Sequence, residues 1–168
     1  DGKTQPRFIP GGEAGGVVIG LGRDVSGCAI GDRVLCGGGL AEESVQAAES
    51  CIKLPRHVAS EAAASFRSNY TTALYALQRG RLQPGETLLV HGAAGGVGLA
   101  TVDVGKLMGA RVIATARNPE RPEGCKKLGA DEVIDYSKGF RDEGLRLTGG
   151  GGADRLIGAG GGAAVDEP

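Results

Sequence analysis

The stretch Glu86-Thr87-Leu88-Leu89-Val90-His91-Gly92-Ala93-Ala94-Gly95-Gly96-Val97-Gly98 constrains this chain more than any other. A short apolar run, Leu88 to Val90, meets glycines at 92, 95, 96 and 98, and an amphipathic segment then continues to Met108. That order reads as strand, tight turn and helix. Glycine is needed where a backbone must turn sharply and where its N–H groups must approach an anion with no side chain between. A helix opening at such a turn offers unpaired N–H groups and the positive end of its dipole. Glycine turns after strands also arise for steric reasons alone. A second apolar strand at Val112-Ile113-Ala114 favours the reading as a dinucleotide site.

The chain on either side divides into two patterns. Before residue 59, short apolar runs alternate with glycine turns: Gly15 to Gly20, Gly31 to Leu35, an element beginning at Leu40 to Val45, and Ile52-Lys53-Leu54-Pro55. This predicts a β-rich unit over 1–58. A helix is expected from Ser60, read as its capping residue, to Leu77, with a break near Asn69 and a stop at Gly80. After the Pro84-Gly85 turn the pattern predicts strand 87–91, helix 96–108, strand 111–116, helix 121–128, strand 132–135, helix 138–147 and strand 154–158. Such alternation implies an α/β fold with a parallel sheet and crossover helices, so 59–168 is read as a Rossmann-type domain. Val97, Ala100, Val104 and Met108 share one helix face and are assigned to core packing.

A net charge of −1 implies neither a nucleic-acid nor a membrane partner. The sequence has no apolar run long enough to span a membrane and no leader pattern, and a cytoplasmic location is expected. Cys28, Cys36, Cys51 and Cys125 form no C-x-x-C spacing, so they read as free thiols in a reducing compartment rather than a zinc knuckle or disulfide framework. With 32 glycines, a modestly stable fold with mobile loops is expected.

Several segments occur in a telling order: Phe8-Ile9-Pro10-Gly11-Gly12-Glu13-Ala14-Gly15-Gly16-Val17-Val18, Gly31-Asp32-Arg33-Val34, Asn69-Tyr70-Thr71-Thr72-Ala73-Leu74, Pro84 to Gly98, and Leu128-Gly129-Ala130-Asp131. Together they resemble the zinc-independent, zeta-crystallin-like quinone oxidoreductases of the medium-chain dehydrogenase/reductase superfamily. The resemblance implies a partial GroES-like β-domain followed by the first half of a Rossmann doubly wound parallel sheet. It also implies NADP(H) as cofactor and a quinone or α,β-unsaturated carbonyl as small-molecule substrate. Measured against that family, the chain is expected to be truncated at both ends.

Ala94, Gly95, Gly96 and Val97 are the expected pyrophosphate contacts, on which resemblance and residue chemistry agree. NAD enzymes usually carry an acid at the end of the second strand; here the position falls at Ala116, and Arg117 follows. An arginine attracts a 2′-phosphate that a carboxylate would repel, which favours NADPH. The resemblance adds Arg121 as a second cation on that phosphate, Tyr136 near the adenine end, and Asn69 and Thr72 near the nicotinamide. It also brings Tyr70 forward as a candidate catalytic hydroxyl, with packing as its alternative role. For Arg117 and Arg121 the alternative is an exposed solvating charge. Zinc-dependent relatives have His before the Glu in a Gly-His-Glu motif; this chain has Gly11-Gly12-Glu13, and no metal ligands are assigned. Gly158 and Ala159 stand where the family usually has an acidic residue and a proline.

Three readings follow: an NADPH-dependent quinone or enone reductase, a non-catalytic NADPH binder, and a remnant that associates with a partner or with itself through the edge of its fourth Rossmann strand.

Overall fold

The structure is a computed structural model that describes residues 9–117 and 122–158, the side chains of Pro122 and Lys138 excepted. The chain divides into two units, residues 1–68 and 69–168.

In the first unit, β1 (Ala14–Val17), β2 (Arg33–Cys36) and β3 (Ile52–Lys53) form an antiparallel sheet in the order β1-β2-β3. Val34, Leu35 and Cys36 are buried in it. A short helix, α1 (Ser60–Ala63), lies so close to β1 that a Cβ at Gly15 would fall on the Ser60 carbonyl. No regular element forms over 40–45, where the sequence predicts one; Leu40 and Val45 are exposed there, and Gln46 donates its amide to Ser44.

The helix expected from Ser60 to Leu77 is two helices. Ala59, not Ser60, is the N-cap of α1, and no side-chain bond caps it. The break falls at Ala64 and Ser65 rather than near Asn69, and α2 (Phe66–Arg79) follows. Glu13 Oε2 accepts the Ser68 N–H at 3.0 Å, so an acid from before β1 supplies an acceptor and a negative charge to the first turn of α2. This partner is 55 residues away and invisible to local periodicity.

The second unit holds β4 (Thr87–His91), α3 (Gly96–Leu107), β5 (Arg111–Ala116), α4 (Pro122–Lys127), β6 (Glu132–Asp135), α5 (Arg141–Leu147) and β7 (Arg155–Gly158). The four strands pair in parallel in the order β6-β5-β4-β7. The strand bounds match the pattern closely, because each run is a block of apolar residues closed by turn residues. The helix expected over 138–147 is instead a 3-10 turn at Tyr136–Lys138 followed by α5, separated by Gly139 at φ +87°.

Two carboxylates fix the register at the amino ends of the strands. Asp131, just before β6, accepts the Val112 N–H at 2.7 Å and holds Lys106 Nζ at 2.8 Å. Asp154, just before β7, accepts the Thr87 N–H at 2.8 Å, and its own N–H donates to the Thr87 carbonyl.

One apolar cluster contains Leu77, Leu88, Val90, Ala100, Val102, Val104, Val112 and Cys125. A second contains Leu89, Ile113, Ile134 and Phe140, with Tyr136 and Leu147 against it. Alternate residues of β4 therefore belong to different clusters, and a buried Leu or Val at each contributes about 1.5–3 kcal/mol. Ala100 and Val104 are buried as the helix face predicts, and Met108 packs at the margin.

Buried His91 ends β4. Its Nδ1 lies 2.9 Å from Thr115 Oγ1, and its ring packs on Tyr136 and Phe140 at centroid distances of 4.8 and 5.1 Å. Burial, and secondarily the Arg117 charge, hold its pKa below the usual histidine value.

Helix α3 closes with Gly109 at φ +84°, donating to Lys106, while Ala110 donates to Gly105. This is the paired C-terminal bonding that favours glycine in the left-handed region. Helix α2 closes the same way one residue beyond Gly80: Arg81 at φ +52° donates to Gln78, and Leu82 donates to Leu77. The left-handed residue is therefore an arginine, although a glycine stands beside it.

Arg81→Gly is accordingly expected to stabilise the fold by about 0.5–1 kcal/mol, read as a raised urea midpoint with unchanged slope. A second expectation concerns pH. The unfolded chain binds a proton at His91 more readily than the folded one, so its contribution is complete above about pH 6.5 and declines as pH falls through that value. Denaturation midpoints measured from pH 7.5 to 5 should fall, and His91→Asn should flatten that decline.

Candidate functional site

The turn after β4 is built from its backbone. Gly92 takes φ +70°, and the Ala93 N–H donates to the Thr115 carbonyl at 2.9 Å, tying the turn to β5. Gly95, extended at φ −85° and ψ 169°, is the N-cap of α3 and makes no side-chain cap bond. The Leu99 N–H donates to the Gly95 carbonyl at 2.8 Å. The N–H groups of Gly96, Val97 and Gly98 precede that bond and fall among those a helix leaves without an internal acceptor. Gly95 and Gly96 are exposed, and Ala94 and Val97 are half-buried.

Gly98 allows this shape. A Cβ there would lie 2.5 Å from the Gly92 oxygen and 2.6 Å from the Ala93 Cα, both backbone atoms with little freedom to yield. Only glycine lets the first turn of α3 rest directly on the loop that precedes it.

The location supports binding as much as the shape. The chain moves from β4 through β5 to β6 on one side, then returns to place β7 on the other side of β4. The carboxyl end of β4 is thus the switch point of the sheet, where a crevice opens in folds of this kind. A diphosphate fits this turn: glycines at its surface, the amino end of a 12-residue helix, and no acidic residue in the first turn of that helix.

Asn69, on α2, lies beside the turn, since a Cβ at Gly96 would come within 2.8 Å of its amide atoms. Next to it, the Tyr70 hydroxyl donates to Asp103 Oδ2 at 2.7 Å. That bond, then burial and the Asp103 charge, push its pKa up to about 12. Thr72 is on the exposed side of the same helix.

At the end of β5, Ala116 is buried and Arg117 is exposed. The Arg117 guanidinium carbon lies 5.3 Å from the centre of the Tyr136 ring, within cation–π range. Two residues singled out separately in the sequence are therefore neighbours, and Tyr136 also touches His91. Arg121 lies outside the described residues. Sequence reasoning missed Asp103 and Thr115, which sit inside apolar stretches and carry no spacing that would mark them as partners of Tyr70 and His91. Among the described residues, no group of three or more His, Cys, Asp or Glu side chains is arranged to hold a metal ion.

Comparison with known proteins agrees with this geometry. Residues 1–56 match the alcohol dehydrogenase GroES-like domain, and residues 96–167 match the zinc-binding dehydrogenase domain. Quinone oxidoreductase-like protein 2 of Bos taurus is 40% identical over 161 residues, covering 92% of this chain and 46% of the relative. Its homolog in Nematostella vectensis is 39% identical over 167 residues, covering 95% and 46%. Among solved structures, a quinone oxidoreductase of Thermus thermophilus, determined alone and with NADPH, superposes with a TM-score of 0.78 at 34% identity, covering 97% of this chain and 51% of that one. A mycobacterial protein, Rv1454c, solved with NADPH, gives 0.82 at 35% identity, covering 95% and 52%. The chain thus spans about half the length of these relatives. With a GroES-like unit leading into a glycine-turn parallel sheet, the chain belongs to the medium-chain dehydrogenase/reductase superfamily, beside its quinone oxidoreductase-like members.

Proposed function

We propose that this chain binds NADPH at the turn after β4 and serves the zinc-independent reduction of a quinone or an α,β-unsaturated carbonyl. The observation that carries the cofactor reading is the pairing of the glycine turn with Arg117, which directly follows Ala116, the position where a carboxylate would stand in an enzyme built for NADH. The NADPH complexes of the Thermus and mycobacterial neighbours support it. The zinc-independent reading rests on Gly12, which occupies the place of the zinc-ligating histidine, and on Glu13, whose carboxylate is committed to the Ser68 N–H.

In this reading the backbone N–H groups of Ala94, Gly96 and Val97 bind the pyrophosphate, while the Gly95 N–H, expected from the sequence to join them, donates to the Gly92 carbonyl at 3.3 Å and closes the turn. Arg117, backed by Tyr136, takes the 2′-phosphate, and a guanidinium can do so through paired hydrogen bonds. The reading assigns Asn69 and Thr72 to the nicotinamide end of the cofactor. When bound, NADPH supplies the hydride for an electron-poor substrate. The chain's own contribution is orientation and exclusion of water. Tyr70 was brought forward as a donor to a substrate oxygen; its bond to Asp103 favours the alternative, a strut between α2 and α3 that holds Asn69 beside the turn.

A second reading is a non-catalytic NADPH binder. It is favoured by the bond that commits the Tyr70 hydroxyl, the candidate catalytic group, to Asp103. Titration with NADPH, followed by an assay of 1,4-benzoquinone reduction, separates the two: binding with turnover supports the reductase, and binding alone supports the binder. Failure of both NADPH and NADH to bind would sink both.

Arg117→Glu is expected to weaken NADPH binding by about tenfold or more while leaving NADH within about threefold, measured by cofactor fluorescence. Tyr70→Phe is expected to cost about 1–2 kcal/mol of stability and to leave NADPH affinity within about twofold. Lost turnover at unchanged stability would instead return the hydroxyl to the substrate.

A further inference from the structure

Cys36 ends β2 and Cys51 directly precedes β3, and continuing the β2–β3 ladder one position past its last pair sets them opposite each other. Val34 pairs with Lys53 and Leu35 with Ile52, so the next position opposes Cys36 to Cys51. The Leu54 N–H donates to the Arg33 carbonyl, which makes 33 and 54 a hydrogen-bonded pair. Alternation along an antiparallel ladder then makes 35 and 52 hydrogen-bonded, and 34 with 53 and 36 with 51 non-hydrogen-bonded. Non-hydrogen-bonded partners have their Cα atoms about 4.5 Å apart with side chains on one face, inside the span that a disulfide bridges.

The side chains agree with the ladder. Both cysteines, and Cys28 with them, line one cavity of about 250 Å³ in the first unit, together with Gly39, Ser44 and Gln46 from the intervening loop; of the three, Cys36 and Cys51 are the two that the ladder sets opposite each other. Both are free thiols, Cys36 buried and Cys51 half-buried. Cys36 Sγ is directed at the Ala14 carbonyl and Cys51 Sγ at the Ala47 carbonyl, each at 3.6 Å. Burial, and after it the neighbouring Cys51 thiol, raise the Cys36 pKa.

We propose that Cys36 and Cys51 form a reversible dithiol–disulfide pair that closes by exchange with an oxidised low-molecular-weight thiol such as glutathione disulfide. Cys51, the more accessible, attacks one sulfur of glutathione disulfide as its thiolate. The S–S bond of that reagent breaks, and one glutathione leaves with a proton. The Cys36 sulfur, once deprotonated, attacks the Cys51 sulfur of the mixed disulfide and expels the second glutathione, which takes up the other proton. The dithiol is oxidised by two electrons, and glutathione disulfide is reduced to two thiols. The product staples β2 to β3 and ties down the loop that walls the cavity.

The test uses the full chain. It is incubated in glutathione buffers of graded oxidised-to-reduced ratio, quenched in acid, unfolded, labelled with a maleimide and mapped by peptide mass spectrometry. The expected result is equal and parallel loss of labelling at Cys36 and Cys51, a cross-linked peptide joining them, continued labelling of Cys28 and Cys125, and full recovery after dithiothreitol. Hydrogen exchange across residues 37–50 should slow on oxidation. Because the pair is read in the unaltered protein, the test does not depend on a variant folding. Cys28→Ser should leave the cross-link intact. A stable glutathione adduct on Cys51 with Cys36 still labelled, a Cys28–Cys51 link, or retention of all four thiols would each overturn the proposal.

Discussion

The seating of α3 on the loop before it is the contact on which the second unit depends. With the Gly98 Cα packed against Gly92 and Ala93, the helix axis points at the end of β4. The same contact leaves the first amides of the helix facing outward, so the packing and the proposed anion site follow from one missing methyl group. Around it the sheet is closed by apolar side chains on alternating sides of β4, and His91 completes the layer nearest the turn. A polar ring there is accommodated because Thr115 meets one nitrogen and two aromatic rings cover its faces.

The strands of the parallel sheet were legible in the sequence almost residue for residue. Leu88 to Val90, Val112 to Ala114 and Val133-Ile134 are short apolar blocks closed by glycine, proline or charged residues, and no competing element fits them. The turn was legible for the same reason, since its glycines are dictated by backbone approach and need no partner elsewhere. What could not be read depended on distant partners. The start of α2 rests on Glu13, 55 residues earlier, and the C-terminal cap of that helix uses Arg81 although Gly80 is the obvious candidate. At the site, the proximity of Arg117 to Tyr136 follows from strand order, whereas the Tyr70–Asp103 bond follows from helix packing that no local pattern encodes.

The two units differ in how their chemistry is held. In the second, the candidate groups are main-chain amides and side chains at the ends of long, covered strands. In the first, the strands have four residues at most, and large apolar side chains such as Val17, Ile19 and Ile52 are exposed. Burial is the main source of stability, so the first unit is the weaker of the two and the one whose loops respond most readily to a local bond.

Asp131 and Asp154 do the same job at successive strands. Each grips the amino end of the neighbouring strand immediately before its own strand begins. Alignment is therefore decided at the doorstep of β6 and of β7, not by the span of chain leading there. The connections upstream of these two acids are free to lengthen or shorten between descendants without displacing the opposite rim of the sheet. Variation in loop size and constancy of the binding rim can coexist in one lineage for that reason.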